Sequence, residues 1–240
     1  MALAAALVYA RHDLALSHYD ARAHLVVARR IIDSLTPGWH QIGAVWLPLP
    51  HLLNMLPVQW DWAYRTGASA VFFSIVSMGV SAFACARLLE RATGSRLAGA
   101  ASAALLVTNV NVLYLHATAM TEPLLIALAF LSIERLDAWL RDPQSPDAPA
   151  GLSLFLLCLT RYEGWAMTAA AMATTLLVVG GLEGWRAGGR RAEPADDAGG
   201  EHELRGAEPE NVPAHLEQAR KLQFEPDQEQ QHHDAELGDR

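Results

Sequence analysis

Lysine is almost missing from this 240-residue chain: Lys221, near the C-terminus, is the only one. Cysteine is nearly as scarce. Cys85 and Cys158 both fall inside apolar stretches with no CxxC pair, which excludes a disulfide framework and a cysteine-based zinc site. There is no Gly-rich phosphate loop, HExxH or nucleophile elbow, so nucleotide-driven, zincin and hydrolase chemistries have no footing. The start, MALAAALVYARHD, lacks the basic leader of a cleavable signal peptide and reads instead as a short first membrane helix. No internal repeat of the kind that marks many transporters is present.

Negative charge is also scarce where it first looks abundant. The formal charge of −8 sits in the tail: residues 1–186 hold twelve Arg and twelve Asp or Glu, while residues 187–240 hold six Lys or Arg and fourteen acids. The apolar part is therefore neutral overall, and the net charge says nothing about its partners; membrane lipids are expected as its surroundings and no nucleic acid as a partner.

What the chain does have is long apolar runs. GASAVFFSIVSMGVSAFACARLL, residues 67–89, carries no charge before Arg87 and is long enough for about 30 Å of hydrocarbon. Residues 97–115 form a second run, with a bend or polar lining expected at Asn109 and Asn111. Residues 121–131 open as a helix, with Thr121 as N-cap, Glu122 at the positive end of the dipole and Pro123 in the first turn. Residues 151–159 and 165–182 follow. With the N-terminal piece this predicts an all-α polytopic bundle of about six membrane segments.

Between the first two segments, residues 21–35 mix apolar and charged residues at helical spacing and read as an amphipathic helix on the membrane surface. Arg22, Arg29 and Arg30 would reach lipid headgroups. VWLPLPHLLNMLP then reads as a proline-broken re-entrant segment. Arg87, Arg91, Arg96, Arg135, Arg141, Arg186, Arg190 and Arg191 all fall on one side if the segments alternate, and the positive-inside rule makes that side cytoplasmic. From about residue 188 the composition turns polar and acidic. The expectation for 187–240 is a disordered tail, and the abruptness of the break is what a truncated or frame-shifted reading would leave.

Three charged elements fall on the opposite, outer face: Asp20 with His18 and His24, Glu122, and Arg161-Tyr162-Glu163. An ionisable group at membrane depth costs about 2.5 to 3.5 kcal/mol, so such a convergence points to a site. Asp20 suits either the N-cap of a helix starting at Ala21 or a general base. His24, one turn on, suits a hydrogen-bonding neighbour better than a metal ligand. Glu122 suits a helix-dipole partner, or a second carboxylate that orients an acceptor or helps hold a cation over a phosphate. Arg161 suits an ion pair with Glu163 or Glu122, or a bidentate grip on phosphate.

In SHYDARAH, GWHQIGAVWLPLPHLL, ATAMTEPLL and LTRYEGWA, spread over residues 1–185, the chain resembles the GT-C superfamily of membrane glycosyltransferases, which includes oligosaccharyltransferases, protein O-mannosyltransferases and aminoarabinose transferases. The resemblance implies a polyprenyl-phosphate sugar as donor, a glycan, lipid or protein acceptor, and an inverting displacement with Asp20 as base. Glu122, Arg161, His24, Tyr162 and Glu163 would bind substrate or phosphate, and a divalent cation is left open. It further implies an integral protein of the plasma (inner) membrane whose site faces outside. Members have more helices and often an outer C-terminal domain, so the expectation is an N-terminal portion, inactive alone. The competing class is a non-catalytic or degenerate polytopic protein, a transport or assembly subunit.

Overall fold

The computed structural model describes residues 1–192 except 44, 143 and 145, with side chains described to residue 181. The described residues are helical and hold no strand. The expected tail lies outside them from residue 193, although its first residues, 187–192, continue a helix. Residues 1–188 group as one compact unit.

The helices are α1 (Ala2–Arg11), α2 (Tyr19–Arg30), α3 (Pro48–Met55), α4 (Asp61–Thr66), α5 (Ala68–Thr93), α6 (Arg96–Thr108), α7 (Val110–His116), α8 (Glu122–Arg141), α9 (Ala148–Cys158) and α10 (Glu163–Ala192), with short 3₁₀ turns at Trp39–Ile42 and Pro57–Gln59. Two stretches, Ala68–Thr93 and Glu163–Gly181, are long and apolar enough to cross a membrane; counting the bent α6–α7 pair as one makes three. Six spans therefore exceed what the helix lengths alone provide. The apolar helices α1 and α9 are short, and α8 carries Glu134, Arg135 and Asp137 in its second half.

The expected bend at Asn109 is there. Asn109 caps α7 by accepting from the backbone N–H groups of Asn111 and Val112 (3.0 and 3.2 Å), which turns α7 by 67° from α6.

α5 is the central element. Its inward stripe is small (Ser74, Ser77, Ser81, Ala84), which allows close helix approach, while Phe72, Val76 and Phe83 are exposed on its other face. A Cβ at Gly99 of α6 would lie 2.7 Å from the Ala86 carbonyl oxygen, so this crossing requires glycine. α5 and α8 run in the same direction. Ser74 Oγ donates to the Thr118 carbonyl just before α8 (3.1 Å), and at the far end Arg91 bonds Glu134 (2.7 Å) and Asp137 (2.8 Å). Arg91 therefore lies in the last turns of α5, tied to α8, rather than in a loop.

α2 differs from the surface helix expected over residues 21–35. It ends at Arg30, and its Ala21, Leu25 and Ala28 are buried in a cluster with Val58, Ala70, Ala119 and Met120. Arg29 does not reach for headgroups: it pairs with Asp33 (2.9 Å) and Asp61 (2.7 Å) and lies over the Tyr64 ring.

Candidate active site

Four stretches far apart in sequence meet where α2, α8 and α10 begin and α9 ends, and backbone hydrogen bonds stitch them together. Ala119 N–H donates to the Ala15 carbonyl (3.1 Å), joining the approaches to α8 and α2, and Leu49 N–H donates to the Leu159 carbonyl (2.9 Å), joining α3 to the end of α9. The α9–α10 turn is closed by the Trp165 indole, which donates to the Cys158 carbonyl (2.8 Å). Its tightness requires glycine at 164, because a Cβ there would collide with the Leu157 carbonyl.

These stitches bring the expected residues into one pocket of about 100 Å³, whose walls include Asp20, His24, Arg161, Tyr162 and Glu163. Glu122 borders it through Arg161. The guanidinium holds Glu122 Oε1 at 3.0 Å through Nη1, and Glu163 through Nη2 (3.0 Å) and Nε (3.3 Å). Nη1 also donates to Thr121 Oγ1 at 3.0 Å, so the Thr121 hydroxyl is taken up by Arg161 and makes no side-chain cap for α8. Burial works against the Arg161 charge, but Glu163, Glu122 and Asp20 outweigh it and raise its pKa above the ordinary value. Both ion-pair partners read from the sequence are thus engaged at once.

Asp20 is not the N-cap. Helix α2 starts one residue before it, and His18 caps by accepting the Asp20 backbone N–H on Nδ1 (3.2 Å). The carboxylate, 45% exposed, is left to face the pocket. Glu122 is turned to Arg161, and among the described residues no group of three or more His, Cys, Asp or Glu side chains is arranged to hold a metal ion.

Two pocket residues escaped the sequence reading. His51, buried on α3, has Nε2 3.1 Å from Nδ1 of His24, and Trp46 lies over both rings, 4.5 Å from His24 and 5.8 Å from His51 between centroids. A lone histidine in a proline-broken apolar run carries no signal until its partner, 27 positions away, is known. Burial first, then the charges of His51 and Arg161, lower the His24 pKa to about 3, and burial lowers that of His51. Both rings are neutral at neutral pH.

Comparison with protein-family models, curated proteins and solved structures gives no match.

Proposed function

We propose that this chain is a membrane glycosyltransferase of GT-C type, which moves a sugar from a polyprenyl-phosphate carrier to an acceptor hydroxyl or amide on the non-cytoplasmic side. The observation that carries the reading is the meeting of Asp20, Glu122, Arg161 and Glu163 at one end of helices long enough to cross a membrane. The far end carries the arginine-rich turns, and the positive-inside rule supports a cytoplasmic placement for it. The reading takes α1, α5, α6–α7, α8, α9 and α10 as six passes of a plasma-membrane protein, with the short ones sheltered by their neighbours.

In the reaction Asp20 accepts the acceptor's proton as the acceptor atom attacks the anomeric carbon from the side opposite the phosphate. The C1–O bond to phosphate breaks, the lipid phosphate leaves with the electron pair, and the configuration inverts. Arg161 balances the charge on the departing phosphate. Because its guanidinium already holds two carboxylates, the phosphate must take the place of one of them. Glu163, 54% exposed against 26% for Glu122, is the one that gives way.

The test incubates membranes holding the protein with a radiolabelled polyprenyl-phosphate hexose and follows label into acceptor. Wild type should retain the donor and, supplied with the remainder of such an enzyme where it needs it, transfer the sugar; Asp20→Asn should cut that rate by about 10²- to 10⁴-fold at unchanged protein level. Equal transfer by the two refutes the role of Asp20, and a wild type that neither transfers nor retains the radiolabelled donor refutes the reading.

A further inference from the structure

The His24–His51 pair has a single proton arrangement. His51 Nδ1 lies 3.0 Å from the Leu47 carbonyl oxygen, which can only accept, so this nitrogen carries the proton. In a neutral ring Nε2 of His51 is then bare, and the 3.1 Å contact requires His24 Nδ1 to donate to it. With its proton fixed on Nδ1, His24 keeps a lone pair on Nε2, on the opposite side of the ring. That nitrogen makes no hydrogen bond to protein among the described residues, and His24 lines the pocket with Asp20 and Arg161.

The wall on this side thus includes two acceptors, the Asp20 carboxylate and the His24 ring. Four of the five N–H groups of Arg161 are directed to Glu122, Glu163 and Thr121, and the Thr160 hydroxyl donates to the Leu156 carbonyl. Asp20 and His24 Nε2 both accept. A ligand that satisfies this wall brings donors of its own, which sugar hydroxyls do. A phosphate oxygen does not: facing an imidazole lone pair it is repelled, and it belongs beside Arg161.

We propose that His24, locked by His51 with its proton on Nδ1, accepts a hydrogen bond from a hydroxyl of the bound sugar, and that His51 is the positioning residue that keeps this acceptor in place. The inference rests on the glycosyltransferase reading and assigns the sugar half of the donor to the His24 side of the pocket. Trp46 stacks on the His51 ring and lies tilted by 43° against the His24 ring.

The experiment is ¹⁵N NMR of histidine-labelled full-length protein in lipid nanodiscs, with His24 assigned from the resonance that His24→Gln removes. Wild type should show His24 neutral at pH 7 and protonated on Nδ1. His51→Phe removes the acceptor and should move the proton to Nε2, whereas His51→Gln, whose side-chain oxygen still accepts, should keep it on Nδ1. A wild-type His24 protonated on Nε2 or on both nitrogens overturns the lock, as does a His51→Phe spectrum with the proton still on Nδ1. Should His51→Phe fail to fold, the wild-type and His51→Gln spectra decide alone.

A short-chain polyprenyl-phosphate hexose is then added, with the same polyprenyl phosphate lacking sugar as control. The hexose form alone should shift His24 Nε2 upfield. Equal shifts from both compounds, or no shift while radiolabelled donor is retained on the nanodiscs, overturn the hydroxyl acceptor. If no donor is retained, the transferase reading fails and the role of His24 falls with it, which separates the two failures.

Discussion

Acidification from about pH 6.5 to about pH 5 should weaken the fold through His24. Its pKa in the folded chain is lowered from 6.5 to about 3, chiefly by burial and then by His51 and Arg161. Between those values the unfolded chain binds a proton that the folded chain refuses, so stability rises with pH across the window. The contribution is complete above the unfolded value of 6.5 and is lost progressively as pH falls toward about 3. Each pH unit costs up to about 1.4 kcal/mol per histidine, which makes about 2 kcal/mol from His24 over one and a half units. His51, shifted the same way by burial, adds to the loss. The window stays above the ordinary carboxylate range, so acid pairs contribute little to it. For a chain of this size about 2 kcal/mol moves the melting temperature by roughly 4 to 8 °C. The assay is thermal and denaturant unfolding of the detergent-purified protein over this pH range, for wild type and His24→Phe. The variant should be less stable throughout, yet its slope against pH should be shallower by close to one proton. An unchanged slope refutes the claim that His24 is buried as a neutral ring.

Three further outcomes follow from the geometry. Arg91→Met should cost about 1 to 3 kcal/mol in denaturant titration, because Glu134, whose side chain is 3% exposed, keeps only its contact with Arg135 at 3.3 Å; Arg91→Met with Glu134→Leu should recover most of that. Gly164→Ala forces a methyl against the Leu157 carbonyl and should destabilise by about 1 to 3 kcal/mol in thermal melts while lowering sugar transfer, since the turn it widens carries Arg161. Asn109→Ala removes the cap that receives two backbone N–H groups and should cost about 1 kcal/mol in denaturant unfolding, with transfer unchanged.

Local chemistry was legible in the sequence, and long-range pairing was not. Asn109 announced its bend because a capping side chain acts on neighbours two and three residues away. The charged residues expected on one face suggested a common site through the cost of placing charge near hydrocarbon, and Asp20, His24, Arg161 and Glu163 do line one pocket. The cap of α2 was misplaced because histidine is an uncommon cap, while the aspartate two residues on is a favoured one. The inward face of α2 was misjudged for a different reason. Ala21, Leu25 and Ala28 present the same stripe whether they lie against lipid or against Val58 and Ala119, and only the packing distinguishes the two. Arg91 likewise reads as one more cytoplasmic arginine until Glu134 and Asp137, more than forty positions later, are found beside it.

The charge balance of the pocket constrains how it can bind a donor. Asp20, Glu122 and Glu163 against Arg161 leave about two negative charges once both histidines are neutral, a poor resting state for a phosphate. The four groups are not equally committed. Glu122 is half-buried, with one oxygen on Arg161 and the other buried without a partner, so it has nowhere else to go. Glu163 stands at the first turn of α10 and is exposed enough for water to receive it. Exchange of Glu163 for phosphate on the same two guanidinium nitrogens removes one negative charge from the site as another arrives. It also keeps Glu122 paired. Glu163→Gln should therefore tighten retention of a polyprenyl-phosphate hexose by up to roughly 5-fold, since it weakens a competitor for Arg161 worth about 1 kcal/mol at this exposure. Retention of radiolabelled donor on nanodiscs measures it, and weaker retention by Glu163→Gln than by wild type would show that Glu163 holds Arg161 for the donor rather than against it.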